Sequence, residues 1–139
     1  MRFHLPTTII FGAGKISELG QVVRERLCAS RPFLVTDRGI QDAGIVAGIR
    51  PQLPGIPIFD EVEQNPKHTT VNWGGGLARQ LNPDLIIGLG GGSALDAAKA
   101  IALLATNPGK IENYEGRQRY TSPPLPVLAI PTTCGTGSE

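Results

Sequence analysis

Residues 85–98 have the sequence LIIGLGGGSALDAA, and this stretch decides the fold. It opens with a continuous apolar run, which is typical of a parallel strand that is covered on both faces. Four glycines fall within residues 88–92, and the alanine-rich residues that follow predict a helix over residues 94–105. A strand that ends in glycines at the start of a helix is an arrangement in which backbone N–H groups can bind phosphate.

The rest of the chain repeats this alternation of strand and helix. Short apolar runs predict strands over residues 7–11 (with residues 3–5 pairing back on it), 32–36, 56–59 and 125–130. Apolar residues at helical spacing predict helices over residues 15–28, 45–49 and 71–81. We therefore predict an α/β fold, a Rossmann-like open, mostly parallel sheet with helices on both faces. The proline- and glycine-rich residues 107–124 are expected to form an excursion outside the sheet.

Composition excludes several classes of protein. The chain has 139 residues and a formal net charge of +1, which predicts one domain over residues 1–139. Near-neutral charge and 5% aromatic residues argue against a nucleic-acid binder. No apolar run approaches the roughly 20 residues of a membrane helix, and Arg2, His4 and Pro6 stand where a secretory signal would be apolar, so we expect neither feature. Two cysteines do not make a disulfide framework, so we expect a cytoplasmic protein without membrane partners.

The glycine cluster after residues 85–89 is the strongest candidate site, because ligands of open parallel sheets bind beyond the carboxyl ends of the strands. Gly90, Gly91 and Gly92 remove three successive Cβ atoms, so that an anion can approach the backbone N–H groups. Ser93 is the predicted N-cap of the next helix, and Asp96 would complete a capping box. A tight, well-capped turn without a ligand is the alternative, but the density of glycines favours phosphate binding.

A second glycine pair, Gly12 and Gly14, follows the first predicted strand, and Asp37 ends the next one. This order approximates the dinucleotide fingerprint, in which an acidic residue binds a ribose hydroxyl, although Ser17 replaces the third glycine. Either glycine cluster could hold a pyrophosphate, and the cluster at residues 88–92 is preferred for its glycine content and cap. Asp37 is predicted as a ribose ligand, with a plain helix cap or a solvated loop as alternatives.

Residues 131–139, PTTCGTGSE, form a third cluster after the last predicted strand. Their hydroxyl groups and small side chains suit contact with a ribose or a nicotinamide amide, and a polar loop without a ligand is the alternative. Cys134 is interpreted as a small packed side chain.

Other features have structural interpretations. The glycines at residues 74–76 lie inside a helical pattern and follow no strand, which favours a frayed helix start or close packing over a second phosphate site. Trp73 is predicted to be a partly buried packing residue. His4 and His68 are assigned surface or packing roles, because neither lies at the end of a strand.

In order and spacing, these motifs resemble the N-terminal half of the iron-containing alcohol dehydrogenase family, which belongs to a wider superfamily with glycerol dehydrogenase and dehydroquinate synthase. The resemblance covers essentially the whole chain. Its motifs are FGAG at 11–14, VTDRG at 35–39, NP at 65–66, GGGS-x-x-D-x-x-K at 90–99 and IPTT-x-GTGSE at 130–139.

The resemblance implies an oxidoreductase that transfers a hydride between an alcohol or aldehyde and a nicotinamide cofactor. It places Asp37 on the adenosine ribose, which favours NAD over NADP, and Gly91, Gly92 and Ser93 on the pyrophosphate. The residues that it implies at the cofactor are Asp37, Asn65, Gly90, Gly91, Gly92, Ser93, Asp96, Thr132, Thr133 and Thr136. A sister enzyme of the glycerol dehydrogenase or maleylacetate reductase type and a non-catalytic nucleotide-binding module are the alternatives.

The resemblance also implies Fe²⁺ or Zn²⁺, held by an Asp and several His residues in a helical C-terminal domain after the GTGSE motif. This chain ends at Glu139 and has two histidines, neither at a matching position. We therefore expect no metal ligand and no catalytic residue here, and a cofactor-binding fragment that is inactive alone. A small alcohol or aldehyde substrate and a homo-oligomer are expected of the full-length enzyme.

Overall fold

A single parallel sheet organises the protein. The computed structural model describes residues 7–116 and 119–139. The strands are β1 (Pro32–Val35), β2 (Ile58–Phe59), β3 (Leu85–Gly90) and β4 (Val127–Pro131). Their order is β2-β1-β3-β4, and each neighbouring pair is parallel. The chain runs outward from β1 to β2 and then crosses back to β3, so the carboxyl ends of β1 and β3 form the switch point at which open sheets bind ligands.

Helices cover both faces of this sheet, as predicted. They are α1 (Leu19–Gln21), α2 (Arg38–Asp42), α3 (Ile45–Ile49), α4 (His68–Leu81) and α5 (Gly92–Thr106). A 3₁₀ turn over Lys15–Glu18 precedes α1 and a π-helical turn over Val22–Arg26 follows it, so the helix predicted for residues 15–28 is a composite of three helical types. Shorter 3₁₀ turns lie at Arg50–Gln52 and Ile111–Tyr114.

Strand β3 lies at the centre of the core, and all six of its residues are buried. Ile86 packs into an apolar cluster with α4 and α5 on one face of the sheet. Ile87 and Leu89 belong to the cluster on the opposite face, which α1 and α3 complete. The apolar run in the sequence is therefore continuous because helices cover both faces of this strand, as predicted.

The strand predicted for residues 7–11 is absent from the described structure. These residues join none of the four described strands, and the side chains of Ile9 and Phe11 are 67% and 93% exposed. Branched and aromatic residues favour a strand only where a neighbouring strand supplies a ladder. Residues 3–5, the predicted partner, and His4 lie outside the described residues.

The two ends of the excursion over residues 107–124 are joined through the buried side chain of Asn107, which is 2% exposed. Its Nδ2 donates to the carbonyl of Leu103 at 3.0 Å and to that of Ser122 at 2.8 Å. Its Oδ1 accepts from the backbone N–H of Ser122 at 3.0 Å and of Thr121 at 3.2 Å. One side chain thus joins the end of α5 to the far end of the excursion.

Asn107→Ala is expected to lower the free energy of unfolding by about 1–3 kcal/mol, because it leaves several hydrogen-bonding groups without partners. Urea unfolding followed by circular dichroism measures this loss. Gln80→Ala, on the exposed face of α4, is the matched control and should stay within about 0.5 kcal/mol of the parent. Equal unfolding midpoints for the two variants would contradict the role given to Asn107.

Two further side chains can be compared with their predictions. Trp73 packs edge-on against Phe59, with ring centroids 5.3 Å apart, which agrees with a packing role, but it is 55% exposed, so its prediction as partly buried is wrong. His68 lies on the surface, where its Nε2 is 3.7 Å from a carboxylate oxygen of Glu112.

Candidate functional site

A groove of about 650 Å³ lies at the carboxyl ends of β1 and β3. Its walls include Asp37, Gly91, Gly92, Ser93 and Thr133, which are all residues expected at the cofactor. They come from three segments that are distant in sequence, and the parallel register of the strands brings them together. The topology and the predicted residues therefore point to the same place. A second cavity of about 730 Å³ lies near the amino ends of β1 and β2, away from these residues.

Two glycines of the cluster are required by packing within the protein. A Cβ atom at Gly88 would lie 2.8 Å from the Cβ of Ala98 on α5. Gly90 has φ +146°, and a Cβ there would lie 2.8 Å from the Cβ of Ala94 and 3.0 Å from Oδ2 of Asp37. These glycines let α5 pack closely on the end of β3, so their presence is explained without a ligand.

The other two glycines border the groove. A Cβ atom at Gly91 would meet only the side chain of Thr133, whose Oγ1 would lie at 3.4 Å. A Cβ at Gly92 would lie 3.2 Å from Oγ of Ser138 and 3.2 Å from Cβ of Thr136. Both residues belong to the C-terminal segment, residues 132–139, which follows β4. The missing side chain of Gly91 thus leaves the groove open at the N-terminus of α5, where unpaired N–H groups and the helix dipole favour an anion.

The predicted capping box at this helix is wrong. Helix α5 begins at Gly92, and Gly91 is its N-cap without a side-chain hydrogen bond. Because the helix starts one residue before Ser93, the Ser93 hydroxyl does not cap it but accepts a hydrogen bond from the backbone N–H of Asn65 at 3.2 Å. The Asp96 carboxylate is exposed and lies 3.9 Å from Nζ of Lys99. Ser93 therefore connects Asn65 to the groove wall, whereas Asp96 lies outside the described lining.

Asp37 has a structural role and also borders the groove. Its Oδ1 accepts from the backbone N–H of Ile40 at 2.9 Å and caps α2. The buried Thr36 hydroxyl donates to the carbonyl of Leu89 at 2.8 Å, which ties the ends of β1 and β3 together and brings Asp37 beside Gly90. The helix-cap alternative is thus correct for one carboxylate oxygen, while the side chain as a whole lines the groove. Its contact with a ribose remains a prediction.

The C-terminal segment closes one side of the site. The backbone N–H of Thr132 donates to the carbonyl of Gly90 at 2.9 Å, which continues the pairing of β4 with β3. Oγ1 of Thr136 donates to Oε1 of Glu139 at 2.8 Å and accepts from the backbone N–H of Ser138 at 3.1 Å. Lys99 donates to the carbonyl of Ser138 and anchors the segment on α5. Cys134 is exposed on this segment, so its prediction as a packed side chain is wrong.

The end of the groove near Asp37 is acidic. Asp60, Glu61 and Glu63 line it together with Asp37, and Arg38 is the one basic residue in the described lining. The Glu63 carboxylate accepts a hydrogen bond from the backbone N–H of Lys67 at 3.0 Å. This bond is the main reason why the pKa of the Glu63 carboxyl lies below its usual value. Glu61 raises the pKa of the Arg38 guanidinium, with which it forms an ion pair.

This ion pair is a feature of the site that sequence reasoning missed. Arg38 follows Asp37 directly, but its contact with Glu61 depends on an isolated antiparallel bridge between residues 37 and 61. A single bridge carries no pattern of apolar residues, so no signal in the sequence could have revealed it.

Gly12 and Gly14 lie in a turn before the first 3₁₀ helix and are not part of the described lining of the groove. Of the two glycine clusters, the structure brings the preferred one to the switch point. Within residues 7–116 and 119–139, no three His, Cys, Asp or Glu side chains are placed to hold a metal ion. The residues described here therefore do not fit the iron or zinc site that the resemblance implies. In the same part of the chain, no helix is long and apolar enough to cross a membrane.

Known proteins have sequences similar to this chain over nearly its whole length. The chain is 38% identical over 141 residues to alcohol dehydrogenase 4 of Schizosaccharomyces pombe, a match that covers 99% of this chain and 33% of that protein. It is 36% identical to the NAD-dependent methanol dehydrogenase of Bacillus methanolicus, covering 99% of this chain and 37% of the relative. The chain thus spans about a third of the length of these relatives.

A solved structure has the same fold. The sulfoacetaldehyde reductase of Bifidobacterium kashiwanohense, crystallised in complex with NAD⁺, matches with a TM-score of 0.89 and 30% identity. The match covers 99% of this chain and 37% of that one. The family model described as iron-containing alcohol dehydrogenase matches residues 6–139. This chain therefore belongs to the iron-containing alcohol dehydrogenase family.

Proposed function

We propose that this chain is the NAD-binding part of an NAD-dependent alcohol dehydrogenase, and that NAD binds in the groove between the ends of β1 and β3. The observation that carries the proposal is Gly91, whose missing side chain opens the groove at the N-terminus of α5 while no packing within the described structure requires it. The NAD⁺ complex of a protein with the same fold supports this choice of cofactor.

The site suggests a distribution of roles. The N–H groups at the start of α5, near Gly91 and Gly92, would bind the pyrophosphate, because this 15-residue helix directs its positive end into the groove. The Asp37 carboxylate would accept hydrogen bonds from the adenosine ribose. Asn65 would lie near the ribose, because its backbone N–H donates to the Ser93 hydroxyl at the groove wall. Thr133, which lines the groove, would contact the remainder of the cofactor together with Thr132 and Thr136, which belong to the same segment but lie outside the described lining.

Bound NAD supplies the hydride chemistry, and the residues of this chain bind and orient it. The described residues offer no cluster that could hold a metal ion. We therefore assign this chain cofactor binding and place substrate chemistry in the whole enzyme. We also propose that the whole enzyme acts on a small alcohol or aldehyde with Fe²⁺ or Zn²⁺, forms a homo-oligomer and works in the cytoplasm. The printed names of the relatives support the substrate class.

Titration of the 139-residue chain with NADH and NADPH, followed by calorimetry, tests the proposal. We expect NADH to bind more tightly, because the Asp37 carboxylate repels a 2′-phosphate. Asp37→Asn keeps the α2 cap, since Asn is an equally good N-cap, but removes the charge. A charge-assisted hydrogen bond contributes about 1.5–3 kcal/mol, so the preference for NADH should fall by roughly 10- to 100-fold.

Two results would contradict the proposal. Absence of NADH binding to a folded parent chain would remove the cofactor assignment. Robust alcohol-dependent formation of NADH by this chain, with Fe²⁺ or Zn²⁺ added, would instead place substrate chemistry within residues that we assign to cofactor binding alone.

A further inference from the structure

An ion pair borders the groove beside Asp37. Arg38 is the first residue of α2, and its Nη2 donates to Oε1 of Glu61. Glu61 is brought there by the antiparallel bridge between residues 37 and 61. The Arg38 side chain is 69% exposed and that of Glu61 33% exposed, so the guanidinium lies at the rim and not in the core. An exposed pair of this kind contributes little to stability, because solvent screens the two charges.

The position of the pair suggests a different use. In the described lining, the end of the groove near Asp37 carries the carboxylates of Asp37, Asp60, Glu61 and Glu63 and the single guanidinium of Arg38. A guanidinium is the side chain best suited to bind a phosphate, because its N–H groups form paired hydrogen bonds with phosphate oxygens. Here the guanidinium is bound to Glu61 instead. A dinucleotide with a 2′-phosphate would meet negative charge at this end, where the described lining offers no cation outside the ion pair.

We propose that Glu61 is a second selectivity residue of the cofactor site, which holds Arg38 away from the position of a 2′-phosphate. This inference rests on the proposed function, because it requires the adenosine ribose to lie beside Asp37. Glu61 acts through Arg38 and is therefore a positioning residue. NAD has a hydroxyl where NADP has the 2′-phosphate. The ion pair therefore disfavours NADP, and NAD binding does not depend on it.

The test is the ratio of NADPH affinity to NADH affinity in the 139-residue chain. Glu61→Gln should raise this ratio about tenfold, because it frees Arg38 and removes one carboxylate charge. The double variant Arg38→Met/Glu61→Gln should lose most of that gain, since the released guanidinium is then missing. The gain of Glu61→Gln should also shrink as salt is raised, because the new contact is electrostatic.

Asp60→Asn is the matched control for charge alone. Asp60 lines the same groove but accepts a hydrogen bond from Nε2 of Gln41, at 3.0 Å, while the Arg38 guanidinium bonds to Glu61. We expect it to change the ratio by less than about threefold. A change as large as that of Glu61→Gln would attribute the effect to net charge and overturn the role of the ion pair.

The remaining outcomes separate this inference from the proposed function. If the parent binds NADH and Glu61→Gln has the parent's ratio, the selectivity role is wrong and the NAD site stands. If the folded parent binds neither dinucleotide, the proposed function itself is wrong. Thermal unfolding by circular dichroism identifies a misfolded variant. If Glu61→Gln misfolds, Glu61→Ala takes its place, and a parent-like ratio in that folded variant would overturn the selectivity role. Glu61→Asp, which retains a carboxylate, should keep the parent's ratio.

Discussion

Gly91→Val is expected to weaken NADH binding at least 100-fold while the protein remains folded. Gly91 has φ −76° and an extended backbone, which any residue can adopt. A Cβ atom there meets only Thr133, at an ordinary contact distance of 3.4 Å, so the added side chain projects into the groove. It would occupy the space that the pyrophosphate needs at the N-terminus of α5. A 100-fold loss corresponds to about 2.8 kcal/mol of binding free energy.

The neighbouring glycine provides the contrast that makes this result specific. Gly90→Val is expected to lower the free energy of unfolding by about 2–3 kcal/mol or more, because φ is +146° and the Cβ collides with Ala94 at 2.8 Å. The two variants therefore separate ligand binding from folding at adjacent positions. NADH titration and urea unfolding are measured on both. A Gly91→Val protein that binds NADH like the parent would exclude this groove as the pyrophosphate site.

The sequence predicted the centre of the fold better than its edge. The run at residues 85–89 and the alanine-rich helix after it follow local rules of burial and propensity, and the structure contains both. Residues 7–11 have the composition of a strand, but strand formation depends on a partner elsewhere in the chain. Composition could not establish that none of the described strands pairs with them.

The same distinction applies to the candidate site. Glycine density at the end of β3 pointed to the groove, but it could not assign a purpose to each glycine. Only the positions of Ala98, Ala94 and Thr133 distinguish packing at Gly88 and Gly90 from an open groove at Gly91. The capping pattern at Ser93 was also wrong, because α5 begins at Gly92, two residues earlier than an N-cap at Ser93 indicates. Such differences of two residues or a fraction of a contact distance are set by tertiary packing.

Close packing of α4 on α5 also leads to a large expected effect on stability. Helix α4 runs unbroken through its three glycines, which favours close packing over a frayed start. A Cβ at Gly75 would lie 2.7 Å from the Cβ of Leu104, an atom fixed to the backbone of α5. At Gly74 the nearest atom would be Cδ1 of Ile101, at 2.5 Å, which is the tip of a flexible side chain. At Gly76, by contrast, a Cβ atom would meet no other part of the described structure within 4 Å, apart from the adjoining residues and backbone of α4 itself.

Gly75→Ala is therefore expected to lower the free energy of unfolding by about 2 kcal/mol, because α4 and α5 must move apart to admit the methyl group. Gly76→Ala should raise it by about 0.5–1 kcal/mol, since the same substitution improves helix propensity without a collision. Urea unfolding of both variants measures the difference between the two sites. Ile101→Val, which removes the colliding Cδ1 atom, should recover part of the loss caused by Gly74→Ala but none of that caused by Gly75→Ala. If Gly75→Ala were as stable as Gly76→Ala, the contact between α4 and α5 would have to be looser than the structure places it.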